Sequence, residues 1–74
     1  MTEFDYNKLR GKIREYGTQE AFAAAIGISA VTLSERLNNK SLFTQKEIAA
    51  AVNVLNISTE DIPTYFFTPL VKGA

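Results

Sequence analysis

The stretch that decides the fold is TQEAFAAAIGISAVTLSERLNN, residues 18–39 of a 74-residue chain. Its first half is rich in alanine, which has the highest helix propensity and whose small side chain lets a neighbouring helix approach closely. Thr18 can cap this half at its start, and Gly27 can end it by adopting a left-handed conformation. These signals predict a short helix over residues 19–26.

A second helix is predicted over residues 30–38, after a turn of three residues. Ser29 is its expected N-cap, and Leu33 and Leu37 lie four residues apart on its inward face. The polar run Asn38-Asn39-Lys40 is expected to end it. Two short helices joined by such a turn are typical of a helix-turn-helix, whose second helix lies in the major groove of DNA.

An amphipathic helix is predicted before this stretch, over residues 6–16. Asp5 is its expected N-cap, and Gly17 is expected to end it in a left-handed conformation. Apolar side chains at spacings of three and four give this helix its inward face: Leu9, Ile13 and Tyr16.

A fourth helix carries the strongest start signal in the sequence, because Thr44 and Glu47 have the spacing of a capping box. Asn56 is expected to end it. Its inward stripe is expected to comprise Ile48, Val52 and Leu55.

The carboxy-terminal segment, residues 62–74, is short and aromatic. Ser58 and Asp61 repeat the start signals for a brief fifth helix, and Pro63 with Pro69 argues against a long one. One ring of the run Tyr65-Phe66-Phe67 is expected to close the core, while the others are either buried or left for a partner. No segment alternates at period two, so residues 1–74 are predicted to form one all-α domain of five helices.

The composition excludes several classes of function. The chain has no Cys and no His, so it lacks a disulfide framework, the usual zinc ligands and the commonest catalytic base. We therefore expect no enzyme, no cofactor and no metal. No run approaches the roughly 20 apolar residues of a membrane span, which favours a cytoplasmic protein. Eight Lys and Arg balance eight Asp and Glu, whereas a small DNA-binding domain is normally basic.

The helix-turn-helix stretch resembles that of the lambda-repressor-like class. The residues at the family's characteristic positions are Gln19, Ala23, Gly27, Ser29 and Leu33. The closing apolar residue comes one position later than is usual, at Leu37, but remains on the same helical face. The broader frame YNKLRGKIREYGTQ, RLNNKSLFTQKEI and DIPTYFFTP is similar to small Cro-like regulators and modulators of repression from temperate phages of Gram-positive bacteria.

This resemblance implies a compact five-helix DNA-binding domain that acts as a Cro-like repressor at operator DNA, in the lysis–lysogeny switch of a phage and in the cytoplasm of its bacterial host. Dimers are common among such proteins, so a homodimer is a further expectation. Thr18 and Gln19 would touch phosphates. The groove-facing residues would be Ser29, Ala30, Val31, Thr32 and Glu35, with Arg36 and Asn38 further along the helix.

The residues at these positions also favour a different partner. Ala30 and Val31 occupy the first turn of the second helix, where a base-reading protein usually has Arg, Lys, Asn or Gln. Glu35 would repel phosphate, and Arg36 could simply pair with a neighbouring acid. The alternative interpretation is an antirepressor or modulator of repression that binds the cognate repressor protein through its helix-turn-helix face.

Overall fold

The computed structural model describes residues 3–71, and all the regular elements in that range are helical. A single isolated β-bridge pairs Phe4 with Pro69. The prediction of an all-α protein with five helices is confirmed. Residues 1–2 and 72–74 of the predicted domain lie outside the described residues. The helices are α1 (Asn7–Tyr16), α2 (Gln19–Ile26), α3 (Ala30–Leu37), α4 (Gln45–Val54) and, after a 3-10 turn at Thr59–Asp61, α5 (Ile62–Phe66).

Three predicted N-caps are confirmed. The hydroxyl oxygens of Thr18, Ser29 and Thr44 each accept a hydrogen bond from the backbone N–H three residues later, at 3.0, 3.0 and 3.1 Å. At the start of α4 there is also a reciprocal bond, in which Glu47 Oε1 accepts from the Thr44 N–H at 3.0 Å. This reciprocal pair completes the capping box that the sequence predicts.

Three helices end at a residue in the left-handed conformation. These residues are Gly27 with φ 82°, Asn39 with φ 62° and Asn56 with φ 55°. In each case the next N–H returns to the carbonyl five residues earlier, at 2.9–3.0 Å, which is the bonding pattern of a Schellman motif. The expected helix ends at Gly27 and Asn56 are therefore confirmed, and Asn39 ends α3.

The start and end of α1 differ from the prediction. The helix begins at Asn7 with Tyr6 as its N-cap, and Asp5 instead accepts a bond from the Asn7 N–H at 2.8 Å. Asp5 itself is extended, because its own N–H donates to Thr68 at 2.8 Å. Gly17 has φ 160° and ψ −143°, so it ends the helix in an extended conformation and not in a left-handed one.

The inward face of α4 is also rotated from the predicted stripe. Leu55 is buried as expected, but Ile48 and Val52 are only half-buried, while Glu47 and Ala51 are buried. α4 packs against α2, and the face that it buries comprises Glu47, Ala51 and Leu55. The rest of the core comes from the other four helices and from Tyr6 and Ile57 beside them: Tyr6, Leu9, Ile13, Phe22, Ala23, Ile26, Leu33, Leu37, Ile57 and Phe66.

One aromatic ring of the carboxy-terminal run closes this core, as predicted. Phe66 is buried, and its ring meets the Phe43 ring edge-on with centroids 5.4 Å apart. Tyr65 is half-buried, whereas Phe67 is 49% exposed and touches Phe4 at the chain's other end. The run therefore serves mainly to close the core and leaves part of one ring on the surface.

Candidate functional site

The outer side of α3 is the candidate site, because the sequence predicts a helix-turn-helix here and the second helix of that motif faces the ligand. Leu33 and Leu37 are buried against the core and turn the opposite side of the helix to solvent. Val31 is 70% exposed at the centre of that side, and Glu35 lies one turn further on. We call this set the α3 surface: Ala30, Val31, Ser34, Glu35 and Asn38, all of which are exposed.

The predicted contacts at the helix starts are partly engaged within the chain. Thr18 and Ser29 are exposed, but each hydroxyl oxygen accepts the capping bond of its helix. The Ser29 hydroxyl also donates to Thr32 Oγ1 at 2.9 Å, which holds the half-buried Thr32 against the turn. Gln19 is exposed at the first position of α2. Of these residues, Gln19 keeps its side chain directed to solvent without a capping role.

Arg36 lies off the α3 surface, on the side of the helix that faces α4. Its Nε donates to Glu47 Oε1 at 2.9 Å and its Nη2 to Glu47 Oε2 at 3.2 Å, while Nη1 donates to Ser41 Oγ. The two side chains are only 16% and 11% exposed. The hydrogen bond to Glu47 raises the pKa of Arg36, and the bond from Arg36 lowers the pKa of Glu47, against the opposing effect of burial.

Asn38, the last predicted site residue, is used to secure the end of α3. Its Nδ2 donates to the Ser34 carbonyl at 2.8 Å, and its Oδ1 accepts from Arg10 Nη2 at 3.1 Å. The same Arg10 nitrogen donates to the Leu37 carbonyl at 3.1 Å. A cation of α1 thus stabilises the carboxy-terminal end of α3, where helix carbonyls lack intrahelical partners.

Leu42 is an exposed apolar residue that follows α3 and is not among the site residues predicted from the sequence. It is 62% exposed in the loop between α3 and α4. Its neighbours are fixed, because Ser41 accepts the bond from Arg36 and the Phe43 ring packs on Tyr6 with centroids 5.5 Å apart. The sequence signal that could identify it is the apolar pair Leu42-Phe43 after the polar run 38–41, of which Phe43 packs against the core.

The structure thus separates the six predicted site residues from Ala30 to Asn38 into two groups. Ala30, Val31, Glu35 and Asn38 share the outward face of α3, while Thr32 and Arg36 lie on its flank towards the turn and α4. The charge that α3 itself presents outward is therefore the carboxylate of Glu35. The outward face combines exposed apolar side chains with a negative charge.

The described part of the chain shows no feature that holds a metal or crosses a membrane. Residues 3–71 contain no group of three or more His, Cys, Asp or Glu side chains placed to hold a metal ion. Among the described helices, none is long and apolar enough to span a bilayer.

Comparisons with known proteins place the chain in a family. Residues 1–69 match the family described as "Protein of unknown function (DUF739)". No curated protein matches the chain. Among solved structures, it is similar to the solution structure of the modulator of repression (MOR) of the temperate bacteriophage TP901-1 from Lactococcus lactis. The two chains are 49% identical with a TM-score of 0.74, over 86% of this chain and 88% of that one. This chain therefore belongs to the DUF739 family and is a relative of that phage modulator of repression.

Proposed function

We propose that this protein is a phage modulator of repression that binds the cognate repressor protein through the α3 surface. It acts without catalysis, in the cytoplasm of the bacterial host. The observation that carries the proposal is the ion pair between Arg36 and Glu47, which takes the arginine of α3 away from its outward face. The exposed residues that remain there are Ala30, Val31, Ser34, Glu35 and Asn38, and the charge among them is the carboxylate of Glu35.

The chemistry of the α3 surface is poorly suited to operator DNA. Ala30 and Val31 can contact only the methyl group of thymine or another apolar surface in the major groove. Glu35 can accept a hydrogen bond from cytosine, but it lies beside phosphates that it repels. A chain of zero net charge also gains little from releasing counterions, which supplies most of the non-specific affinity for DNA.

The same chemistry suits the DNA-reading face of a repressor. Such a face is basic because it must neutralise phosphates, so it complements the carboxylate of Glu35. Val31 and Leu42 are 70% and 62% exposed, and burial of such side chains is what stabilises protein complexes. A repressor covered in this way cannot reach its operator at the same time. Repression is then relieved by competition for one surface.

The relationship to a phage modulator of repression supports this interpretation over a Cro-like repressor. The similarity extends over most of both chains, at 49% identity.

Binding of operator DNA is the second candidate function, and one observation favours it. The pair of helices α2 and α3 has the length, capping and turn of a helix-turn-helix, with Gln19 exposed at the first position of α2. The exposed Lys40 follows α3 and can reach phosphates. Both functions would use the α3 surface, so one molecule cannot bind the repressor and the operator through it at the same time.

Binding of the purified protein to the purified cognate repressor tests the proposal directly. Titration calorimetry is performed with the wild type and with Val31→Lys and Glu35→Lys. Each variant introduces a cation that faces the basic surface of the repressor, so we expect affinity to fall at least about tenfold. Glu60→Lys is the matched control, because it makes the same charge change at an exposed position in the 3-10 turn.

The outcomes separate the two candidate functions. Loss of repressor affinity in Val31→Lys and Glu35→Lys, but not in Glu60→Lys, supports the proposal. If the protein is an operator-binding repressor instead, Glu35→Lys strengthens DNA binding by removing a repulsive charge. No heat of binding with the wild type, at protein concentrations well above those of a micromolar complex, would overturn the proposal.

A further inference from the structure

Asn39 makes a contact that links the end of α3 to both ends of the chain. Its Oδ1 accepts from the Phe4 N–H at 2.8 Å, and its Nδ2 donates to the Phe4 carbonyl at 2.9 Å. The carboxamide therefore satisfies both backbone groups on one edge of an extended segment. It can do so because Asn39 is left-handed, with φ 62°, a conformation that asparagine tolerates better than most residues.

The other edge of that extended segment is paired with the carboxy-terminal part of the chain. The Asp5 N–H donates to the Thr68 carbonyl at 2.8 Å, and the Leu70 N–H donates to the Glu3 carbonyl at 2.9 Å. We call this assembly the terminal clamp: Asn39 with segments 3–5 and 68–70. On its outer edge the clamp presents Pro69, which lacks an N–H, so it is poorly suited to recruit a strand from another chain.

The terminal clamp lies at the start of the loop that carries Leu42. The loop is held at its first end by Asn39 and at its last end by Phe43, whose ring contacts Tyr6 and Phe66. Between these points, the Lys40 N–H donates to the Glu35 carbonyl at 2.9 Å. An exposed leucine between two fixed points loses little conformational freedom when a partner covers it.

We propose that Asn39 is a positioning residue for the partner-binding surface: through the terminal clamp it holds the loop that follows α3, so that Leu42 is presented to the partner in a fixed position. This inference rests on the proposed function, because it assigns Leu42 to the surface that the repressor covers. Asn39 itself need not touch the partner. Its effect on binding comes from the order that it imposes on residues 40–43.

Asn39→Gly tests this role, because glycine keeps the left-handed backbone and removes only the carboxamide. Asn56→Gly is the matched control, since it makes the same change at the other left-handed asparagine, which is exposed at the end of α4. Backbone order parameters of residues 40–43 are measured by NMR relaxation on this chain alone. In Asn39→Gly we expect them to fall from about 0.85 to below about 0.6, with the helices unchanged and no change in Asn56→Gly.

Asn39→Asp is a second variant, whose effect on the order of the loop is expected to depend on pH. Its carboxylate repels the Phe4 carbonyl at neutral pH, whereas the neutral carboxyl at low pH has one donor and one acceptor, like the amide. Order in residues 40–43 is therefore expected to return as the pH falls, which a glycine at this position cannot reproduce. A loop equally ordered in the wild type and both Asn39 variants overturns the inference.

Repressor binding completes the test. We expect Asn39→Gly to bind the repressor about tenfold more weakly than Asn56→Gly, at a temperature where circular dichroism shows both to be folded. Equal affinities would overturn the link between the clamp and binding. If the wild type does not bind the repressor at all, the proposed function fails, and the relaxation data still decide whether Asn39 orders the loop.

Discussion

The guanidinium of Arg36 and the carboxylate of Glu47 form a two-point ion pair, with Nε–Oε1 2.9 Å and Nη2–Oε2 3.2 Å. The pair joins α3 to α4, and its carboxylate also caps α4 through the Thr44 N–H. One contact thus stabilises the packing of two helices and determines what α3 shows to a ligand. Because the arginine is directed inward, the outward face is left with apolar side chains and Glu35.

This ion pair predicts a specific loss of stability in acid. The pKa of the Glu47 carboxyl lies below its ordinary value of 4.5, mainly because Arg36 donates a hydrogen bond to it. A carboxyl with a lowered pKa in the folded state stabilises the fold above about pH 4.5, and that contribution is lost as the pH falls through the lowered pKa. We expect Glu47→Gln to lower the free energy of unfolding by about 2 kcal/mol at pH 7. The difference from the wild type should shrink near pH 3. Urea denaturation at both values checks this, and a constant difference would contradict it.

Gly11 predicts a stabilising substitution. It lies inside α1, and a Cβ added there has no atom of the chain within 4 Å. Glycine inside a helix costs about 0.5–1 kcal/mol relative to alanine, so Gly11→Ala is expected to raise the melting temperature by about 3–6 °C. Gly27→Ala is the contrasting variant, because its φ of 82° strains any side chain, and it should lower stability by about 1–2 kcal/mol. Thermal melts that rank the two variants the other way would refute the assigned backbone conformations.

The different burial of Phe66 and Phe67 predicts that their truncation to alanine lowers stability by different amounts. Phe66 is buried among Phe43 and the core, so Phe66→Ala should cost about 3–5 kcal/mol. This is a large share of the total stability of a domain of this size. Phe67 is 49% exposed, and we expect Phe67→Ala to cost about 1 kcal/mol. Chemical denaturation of both variants checks the order, and equal losses would show that Phe66 does not close the core.

The exposure of Leu42 predicts that its replacement weakens repressor binding but leaves the free energy of unfolding nearly unchanged. Because it is 62% exposed, Leu42→Ser should change the free energy of unfolding by less than about 0.5 kcal/mol. If it packs against the repressor, the same change weakens the complex by about tenfold. Val71→Ser is a matched control, since Val71 is an exposed apolar residue in the carboxy-terminal segment. Calorimetric titration that finds both variants equal to the wild type would remove Leu42 from the interface.

The parts of this structure that follow from local chemistry could be predicted from the sequence. The caps at Thr18, Ser29 and Thr44 depend on residues three positions apart, and the helix ends at Gly27 and Asn56 depend on single residues. Each of these signals involves residues within one helical turn, so it can be recognised from the sequence alone. The predicted start of α1 was wrong because the Asp5 N–H bonds to the carbonyl of Thr68, more than 60 residues away in the sequence.

The parts that could not be predicted depend on which elements meet. Asn39 and Phe4 are 35 residues apart, and no local spacing predicts that a side-chain amide will pair with that backbone. Glu47 is similar, because its capping role was predicted while its burial against Arg36 was not. The position of Arg36 matters most for function, since a sequence pattern cannot distinguish an arginine aimed at DNA from one paired across two helices.

The most direct test of the account is a competition for the repressor. A fluorescently labelled operator duplex is first bound by the cognate repressor at about 150 mM salt, and this protein is then added while anisotropy is followed. The account predicts that anisotropy falls to the value of free DNA as the complex of the two proteins forms, and that this protein alone leaves the duplex unbound at the same salt. Anisotropy that stays high, together with binding of the duplex by this protein alone, would contradict the claim that the α3 surface serves a repressor and not an operator.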